Sequence, residues 1–223
     1  MCGRFAFYSP AEATAALFGV GEALEIKPRY NIAPTQDIAA VRDGSDGARE
    51  LALLRWGLVP FWAKDPSIGN RMINARAETV AEKPSFRAAY AKRRCLILAD
   101  GFYEWRKEGD GKTPYFISLA SGEPFAFAGL WEDWHAKDSE ESLQSTAIIT
   151  TAANDFMSTL HHRMPVVLER ETANRWLDGD NDLLAEITAQ SPAFQAWPVD
   201  RRVNNARNEG GELITPSGET LSA

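Results

Sequence analysis

The sequence predicts an α+β fold, a single domain with a curled, barrel-like and mostly antiparallel sheet flanked by a few helices. Three observations carry this expectation. The chain has 223 residues, within the range of about 200–250 that one β-rich domain reaches. Short apolar runs separated by Gly-containing turns recur along it and read as strands. Helical patterns are few and brief, and no internal repeat is present.

Each element has its own warrant. Phe5–Tyr8 reads as the end of a first strand. Ser9-Pro10-Ala11-Glu12 has the spacing of a capping box with Pro at the first helical position. That helix is expected to end near Leu17 or Phe18, before Gly19. Lys27–Thr35, with two prolines, reads as a loop. Ile38–Arg42 and Arg49–Trp56 read as strands joined across the Asp43–Gly47 turn cluster. Gly57–Asn74 is irregular and rich in aromatics. Phe86–Lys92 is helical. Arg94–Ala99, Phe102–Lys107, Tyr115–Leu119, Phe125–Leu130 and Leu143–Thr151 are strands. Asn154–Leu160, Arg170–Leu177 and Asp182–Ala189 are helices. Residues 1–209 form the domain, and 210–223 are expected to be a loose C-terminal tail.

Composition narrows the class. Hydrophobic residues make up 44% of the chain, enough for a packed core. No apolar run reaches the roughly 18–20 residues that a membrane span needs. The first residues lack the features of a secretory signal. Two cysteines, Cys2 and Cys95, supply no disulfide framework or CxxC pair. The chain therefore reads as cytoplasmic with reduced thiols. Three histidines and two cysteines also lack zinc-ligand spacing, and no cofactor is implied. Cys95 sits in an apolar strand and reads as core.

The net charge of −7 argues against a nucleic-acid binder, but the distribution is uneven. Residues 71–94 carry Arg71, Arg76, Lys83, Arg87, Lys92, Arg93 and Arg94 against Glu78 and Glu82. Arg201, Arg202 and Arg207 form a second basic stretch, while acids collect at 132–141 and 169–186. Either a basic groove or ordinary solvated surface charge fits this pattern.

Cys2 is the candidate reactive residue. Methionine aminopeptidase removes Met1 when the next side chain is small, which would leave a free 1,2-aminothiol. Its amine and thiol have ordinary pKa values of about 7.7–8.0 and 8.5. The amine can form an imine with an aldehyde, and the thiol can close on the same carbon to give a five-membered thiazolidine. The same terminus could instead attack an amide, with the amine as base. It could also be an unreactive Cys near the chain end.

Six segments mix polar or ionisable residues with tight apolar, Gly or Pro context. They are MCGRF at 1–5, RYNIAPTQ at 29–36, WGLVPFW at 56–62, NARAET at 74–79, ADGFYEW at 99–105 and HHRMP at 161–165. In this order they resemble the SRAP (SOS-response-associated peptidase) family, also called abasic site processing proteins. The resemblance spans residues 1 to about 205. It implies a covalent crosslink between the processed N-terminal Cys2 and abasic sites in single-stranded DNA through a thiazolidine. It carries catalytic roles to Cys2, Asn74, Glu104 and His161.

The chemistry suits those residue types. A closed abasic sugar must open before an amine can react, and Glu104 and His161 are suitable acid–base groups. Asn74 could position the amine or the sugar. Glu104 could instead lie on the solvent face of its strand, an alternative that the resemblance weakens, and His162 could be structural. Arg163 could contact phosphate or pair with an acid inside the fold.

For DNA, Arg4 and Arg76 are the expected phosphate contacts. Trp56, Phe61, Trp62 and Trp105 are candidates for base stacking, with at least two of them expected in the core. Pro34 is expected to shape the pocket. A one-to-one adduct needs no dimer, so a monomer is expected. The resemblance also implies an SOS link and a peptidase activity, which self-processing of Met1 would satisfy; an abasic-site lyase step stays open. Two rival readings remain. One is a glutaminase-like amidohydrolase with an N-terminal nucleophile, weakened by the absence of NG and GGD motifs. The other is a single-strand-binding scaffold without chemistry.

Overall fold

The computed structural model describes residues 2–21, 25–137, 140–189 and 192–222. Met1, whose removal the aminothiol requires, and Ala223, the last residue of the expected tail, lie outside them. The first part of the chain forms β1 (Phe5–Phe7), α1 (Ala11–Leu17), β2 (Arg29–Ile32), β3 (Asp37–Asp43) and β4 (Arg49–Trp56). Next come a 3-10 turn at Pro66–Arg71, β5 (Asn74–Arg76), α2 (Arg87–Lys92), β6 (Arg94–Ala99), β7 (Gly101–Glu108) and β8 (Gly111–Leu119). Then follow β9 (Phe125–His135), β10 (Ser142–Ala152), α3 (Asp155–Ser158), β11 (Arg163–Pro165) and β12 (Val167–Leu168). The chain continues through α4 (Arg170–Leu177), α5 (Leu183–Ala189) and β13 (Phe194–Pro198). Two further 3-10 turns, Arg201–Asn204 and Gly211–Ile214, and β14 (Leu221–Ser222) complete it.

The predicted α+β fold is observed. Strands β10, β4, β3, β6 and β9 pair in that order, and β9 pairs back to β10, closing a five-stranded barrel. The second sheet has the order β14-β13-β8-β7-β1-β2. All pairings are antiparallel except those of β10 with β4 and β5. Closure removes the free edges that an open sheet would leave unpaired.

Aromatic packing joins the two sheets. Phe5 of β1 lies edge-on to Trp56 and Phe127, with centroids 5.2 and 5.6 Å away. Phe102 of β7 also meets Phe127, at 6.0 Å. Fully burying each such ring contributes about 1.5–3 kcal/mol, so β1 is fixed to the barrel by side chains that flank the first motif. Gly101 is needed where β7 begins: a Cβ there would stand 2.2 Å from Cζ of Phe116.

Most predicted elements occur within a residue or two of their expected bounds; three expectations are corrected. The capping box does not form: Pro10 occupies the N-cap without a side-chain cap. The Ser9 hydroxyl instead donates to Asp100 Oδ1 at 2.5 Å, and the amides of Tyr8 and Ser9 donate to Asp100 Oδ2. The Lys27–Thr35 loop contains β2, because β1 offers it a partner edge. The C-terminal segment is docked and not loose. Its Leu213 is buried, Trp197 Nε1 donates to Ile214 O at 2.7 Å, and β14 pairs with β13.

Candidate active site at the sheet junction

The second sheet meets the barrel where β1 and β7 approach β5, β10 and the turn before β11. Cys2 is held there by the strand that follows it. Phe5 pairs with Phe102, and Tyr103 N donates to Arg4 O at 2.9 Å. From the barrel side, Asn74 Nδ2 donates to the Cys2 carbonyl at 2.8 Å. Asn74 is placed by pairing of β5 with β10, opposite Ile148. Its Oδ1 is buried with no hydrogen-bond partner among the described residues. A buried acceptor in that state costs about 1–3 kcal/mol, which is expected of a group kept for a substrate or for a terminal amine.

Cys2 is fully buried. Burial pushes its thiol pKa up, and the neighbouring Glu104 charge adds to the rise. The thiol is therefore protonated at neutral pH. Glu104 lies on β7 and is only 4% exposed. Burial raises its carboxyl above the ordinary range, opposed in part by His162 and the Trp105 backbone. A carboxyl raised in this way holds its proton to higher pH than an exposed one and is a candidate for proton transfer. The expectation that it might face solvent is corrected: the β7 face that carries Glu104 is covered.

His161 follows α3, which Asn154 caps by accepting from Met157 N at 2.7 Å. Its Nδ1 accepts from Arg163 N at 3.0 Å. The same Nδ1 lies 3.1 Å from Arg163 O, to which it donates when it carries the ring proton. Burial lowers its pKa, favouring the neutral form. The His162 ring lies beside it, with centroids 4.3 Å apart, and the proximity of His161 lowers the His162 pKa in turn. The junction thus gathers a protonated thiol, a carboxyl of raised pKa, neutral imidazoles and an amide that holds the Cys2 backbone.

Arg163 forms an ion pair, and the acid it finds, Glu78, is exposed at the surface and not inside the fold. It makes a bidentate bridge to Glu78 at 2.5 and 3.0 Å and donates to Thr150 O at 2.7 Å. Two of the motifs, NARAET and HHRMP, are thereby clamped together across β10.

The expected DNA contacts divide. Arg76 is exposed beside Asn74. Phe61 and Trp62 are 56% and 47% exposed. Trp56 is fully buried, with Nε1 donating to Ile73 O, so it is core and has no face free for a base. Trp105 is half-buried, and its Nε1 donates to Asn204 Oδ1 at 2.7 Å. Pro34 is half-buried beside Thr35, whose φ of 73° is left-handed.

Arg4 is drawn inward. Its Nη1 donates to Asn31 Oδ1 and Val203 O, both at 2.7 Å. Asn31 is the residue that sequence reasoning missed. It is fully buried, and its Nδ2 donates to the carbonyls of Val203, Asn205 and Asn208. It ties Arg4, two residues from Cys2, to the 203–208 segment. Its position inside the RYNIAPTQ motif was the available signal.

Cys95 is core as expected. It is fully buried, its Sγ lies 3.4 Å from Thr146 Oγ1, and burial pushes its thiol up to about 12. Among the described residues no group of three His, Cys, Asp or Glu side chains could hold a metal ion. No helix of the described residues is long and apolar enough to cross a membrane.

Comparison with known proteins identifies the family and agrees with the fold. Residues 1–206 match the family model described as SOS response associated peptidase (SRAP). The chain is 43% identical to the abasic site processing protein YoqW of Bacillus subtilis, over 96% of this chain and 99% of that one. It is 35% identical to the abasic site processing protein YedK of Escherichia coli, over 97% and 100%. A solved protein from Bacteroides thetaiotaomicron shares the fold with a TM-score of 0.85 at 25% identity, covering 97% of this chain and all of that one. A solved phage-related protein of Bordetella bronchiseptica gives 0.70 at 31% identity, covering 90% and 95%. The chain belongs to the SRAP family.

Proposed function

We propose that this SRAP-family chain is an abasic site processing protein whose Cys2, once Met1 is removed, captures the aldehyde of an abasic site in single-stranded DNA as a thiazolidine. The observation that carries the reading is the setting of Cys2, its carbonyl held by Asn74 and its thiol buried against Glu104. The names of the relatives, each an abasic site processing protein, support the substrate.

The chemistry follows from the protonation states. The thiol is not ionised at neutral pH, so the amine attacks first. Its nitrogen adds to the aldehyde carbon, and loss of one water leaves an imine. Sulfur then adds to the imine carbon, forming the C–S bond. The thiol proton passes by way of Glu104 to the nitrogen, which becomes the ring N–H. One water is released overall. Neutral His161, held by its Nδ1 contacts to Arg163, exchanges the protons that open the sugar ring. Asn74 orients the new terminus. This assignment separates the general acid from the carboxyl that relays the thiol proton, and each contribution is expected to be worth about 10²–10⁴-fold. The exposure of Phe61, Trp62 and Arg76 suits stacking and phosphate contact with an unpaired strand.

The test uses single-stranded oligonucleotides with and without an abasic site, incubated with the mature protein and run on a denaturing gel. A covalent species with the abasic strand alone is the expected result. Binding without a covalent species would favour the scaffold reading, and glutaminase activity without one would favour the amidohydrolase reading.

A further inference from the structure

The far end of the β7–β8 hairpin carries cations that the site above does not use. Lys107 stands directly opposite Lys112 in the antiparallel register. Both are exposed. Like charges placed opposite one another destabilise a strand pair, so this pairing is a local cost. Neither lysine forms an ion pair among the described residues. The nearby acids do not relieve it: Glu108 accepts from Thr113 at 2.7 Å and pairs with Arg106 at 3.4 Å, and Asp110 stands at the exposed turn.

A third cation lies across the same end. Arg201 Nη2 stands 3.8 Å from where a Cβ on Gly111 would be. It too has no ion pair within the distance that defines one among the described residues, although its field reaches Glu108. Strand alternation puts Trp105 and Lys107 on one face of β7, with Lys112 on the matching face of β8. Trp105 holds Asn204, in the same 3-10 turn as Arg201. Arg4 lies on the other side of Trp105, its Cζ 6.0 Å from the ring centroid. One face therefore runs from Arg4 over Trp105 to Lys107, Lys112 and Arg201.

We propose that Lys107, Lys112 and Arg201 form a second phosphate-binding site, which carries the backbone of the DNA strand leading away from the captured sugar. The inference rests on the abasic-DNA reading above and extends it. Lys107 lies two residues beyond Trp105 on the same face, roughly 7 Å along the strand, about two stacked nucleotides at a rise of about 3.4 Å. A phosphate between the lysines offsets their repulsion, and on a body of net charge −7 it confines DNA to this face.

The experiment compares wild type with Lys107→Gln/Lys112→Gln. Equilibrium binding is measured over a range of salt. The ligands are single-stranded oligonucleotides that carry a non-reactive tetrahydrofuran abasic analogue, extended by ten nucleotides either on its 5′ side or on its 3′ side. Each phosphate-neutralising cation contributes roughly 0.7 to the slope of log K against log salt. The double variant is expected to lose about 1.4 from that slope on one of the two extended ligands. An unchanged slope on both overturns the proposal. Thermal melting of the variant confirms folding, and Arg201→Gln, expected to lose about 0.7 on the same ligand, provides a second reading should the double variant melt early. Wild-type crosslinking to a true abasic oligonucleotide runs in parallel. No adduct there removes the abasic-DNA reading, whereas an adduct with an unchanged variant slope removes only the hairpin site.

Discussion

Cys2 and Cys95 are both fully buried, and burial raises both thiols. Only their neighbours differ. Cys95 lies within the closed barrel against Thr146, Ile97 and Gly129, groups with no proton to exchange near neutral pH. Cys2 lies where two sheets meet, against Glu104 and tied to Asn74. Burial alone thus makes a thiol inert. What turns one into a candidate nucleophile is a titratable partner, together with a backbone nitrogen that processing can free.

The strongest way to break this comparison is to delete each sulfur in turn. Cys2→Ala is expected to abolish the stable adduct with abasic DNA. Cys95→Ala is expected to retain it and to lower stability by about 1 kcal/mol, read by denaturant unfolding. An adduct lost equally in both variants would mean that folding, and not chemistry, is being measured.

Next in size is the proton relay. Glu104→Gln is expected to slow single-turnover crosslinking by about 10²–10⁴-fold while leaving affinity for an abasic analogue within a few-fold. Loss of affinity with an unchanged rate would remove Glu104 from the chemistry.

A smaller effect sharpens the barrel side. A Cβ on Gly129 would stand 2.8 Å from both Cys95 Sγ and Ile97 Cδ1. Gly129→Ala should therefore cost about 1–3 kcal/mol of stability by overpacking, with the crosslinking rate of the folded fraction unchanged.

The smallest effect is a pH dependence of stability. The folded state favours protonated Glu104, raised above its ordinary value of 4.5. Its contribution is whole below that ordinary value and is lost as pH rises through the higher folded value. The Tm of Glu104→Gln relative to wild type should accordingly climb as pH rises from about 4 toward neutrality. A flat difference would show that Glu104 is not held protonated by burial.

Much of this was legible in the chain. The strand–turn patterns around Ile38–Trp56 and Arg94–Leu130 follow local alternation and Gly punctuation, and they appear where expected. Cys2, Asn74 and Glu104 could be named because their motifs are contiguous, and they meet because β1, β5 and β7 are brought to one junction. What local pattern could not supply is partner choice. β2 looks like a Pro-rich loop until β1 lends it an edge. Ser9 suits an N-cap but finds Asp100, ninety-one positions away. Trp56 has the composition of a stacking platform and is core because Phe5 and Ile73 cover it. Asn31 seemed one polar residue in a loop, yet its carbonyl partners lie beyond residue 200.

The central claim is that the aminothiol of Cys2, and not a thiol alone, captures the sugar. Intact mass of the adduct tests it most directly. Mature wild type with an abasic oligonucleotide should give the summed mass less one water, stable to heat without borohydride. The same chain prepared with Met1 retained should give no adduct. A heat-stable adduct of that mass formed by the Met1-bearing chain, or by Cys2→Ala, would contradict the account.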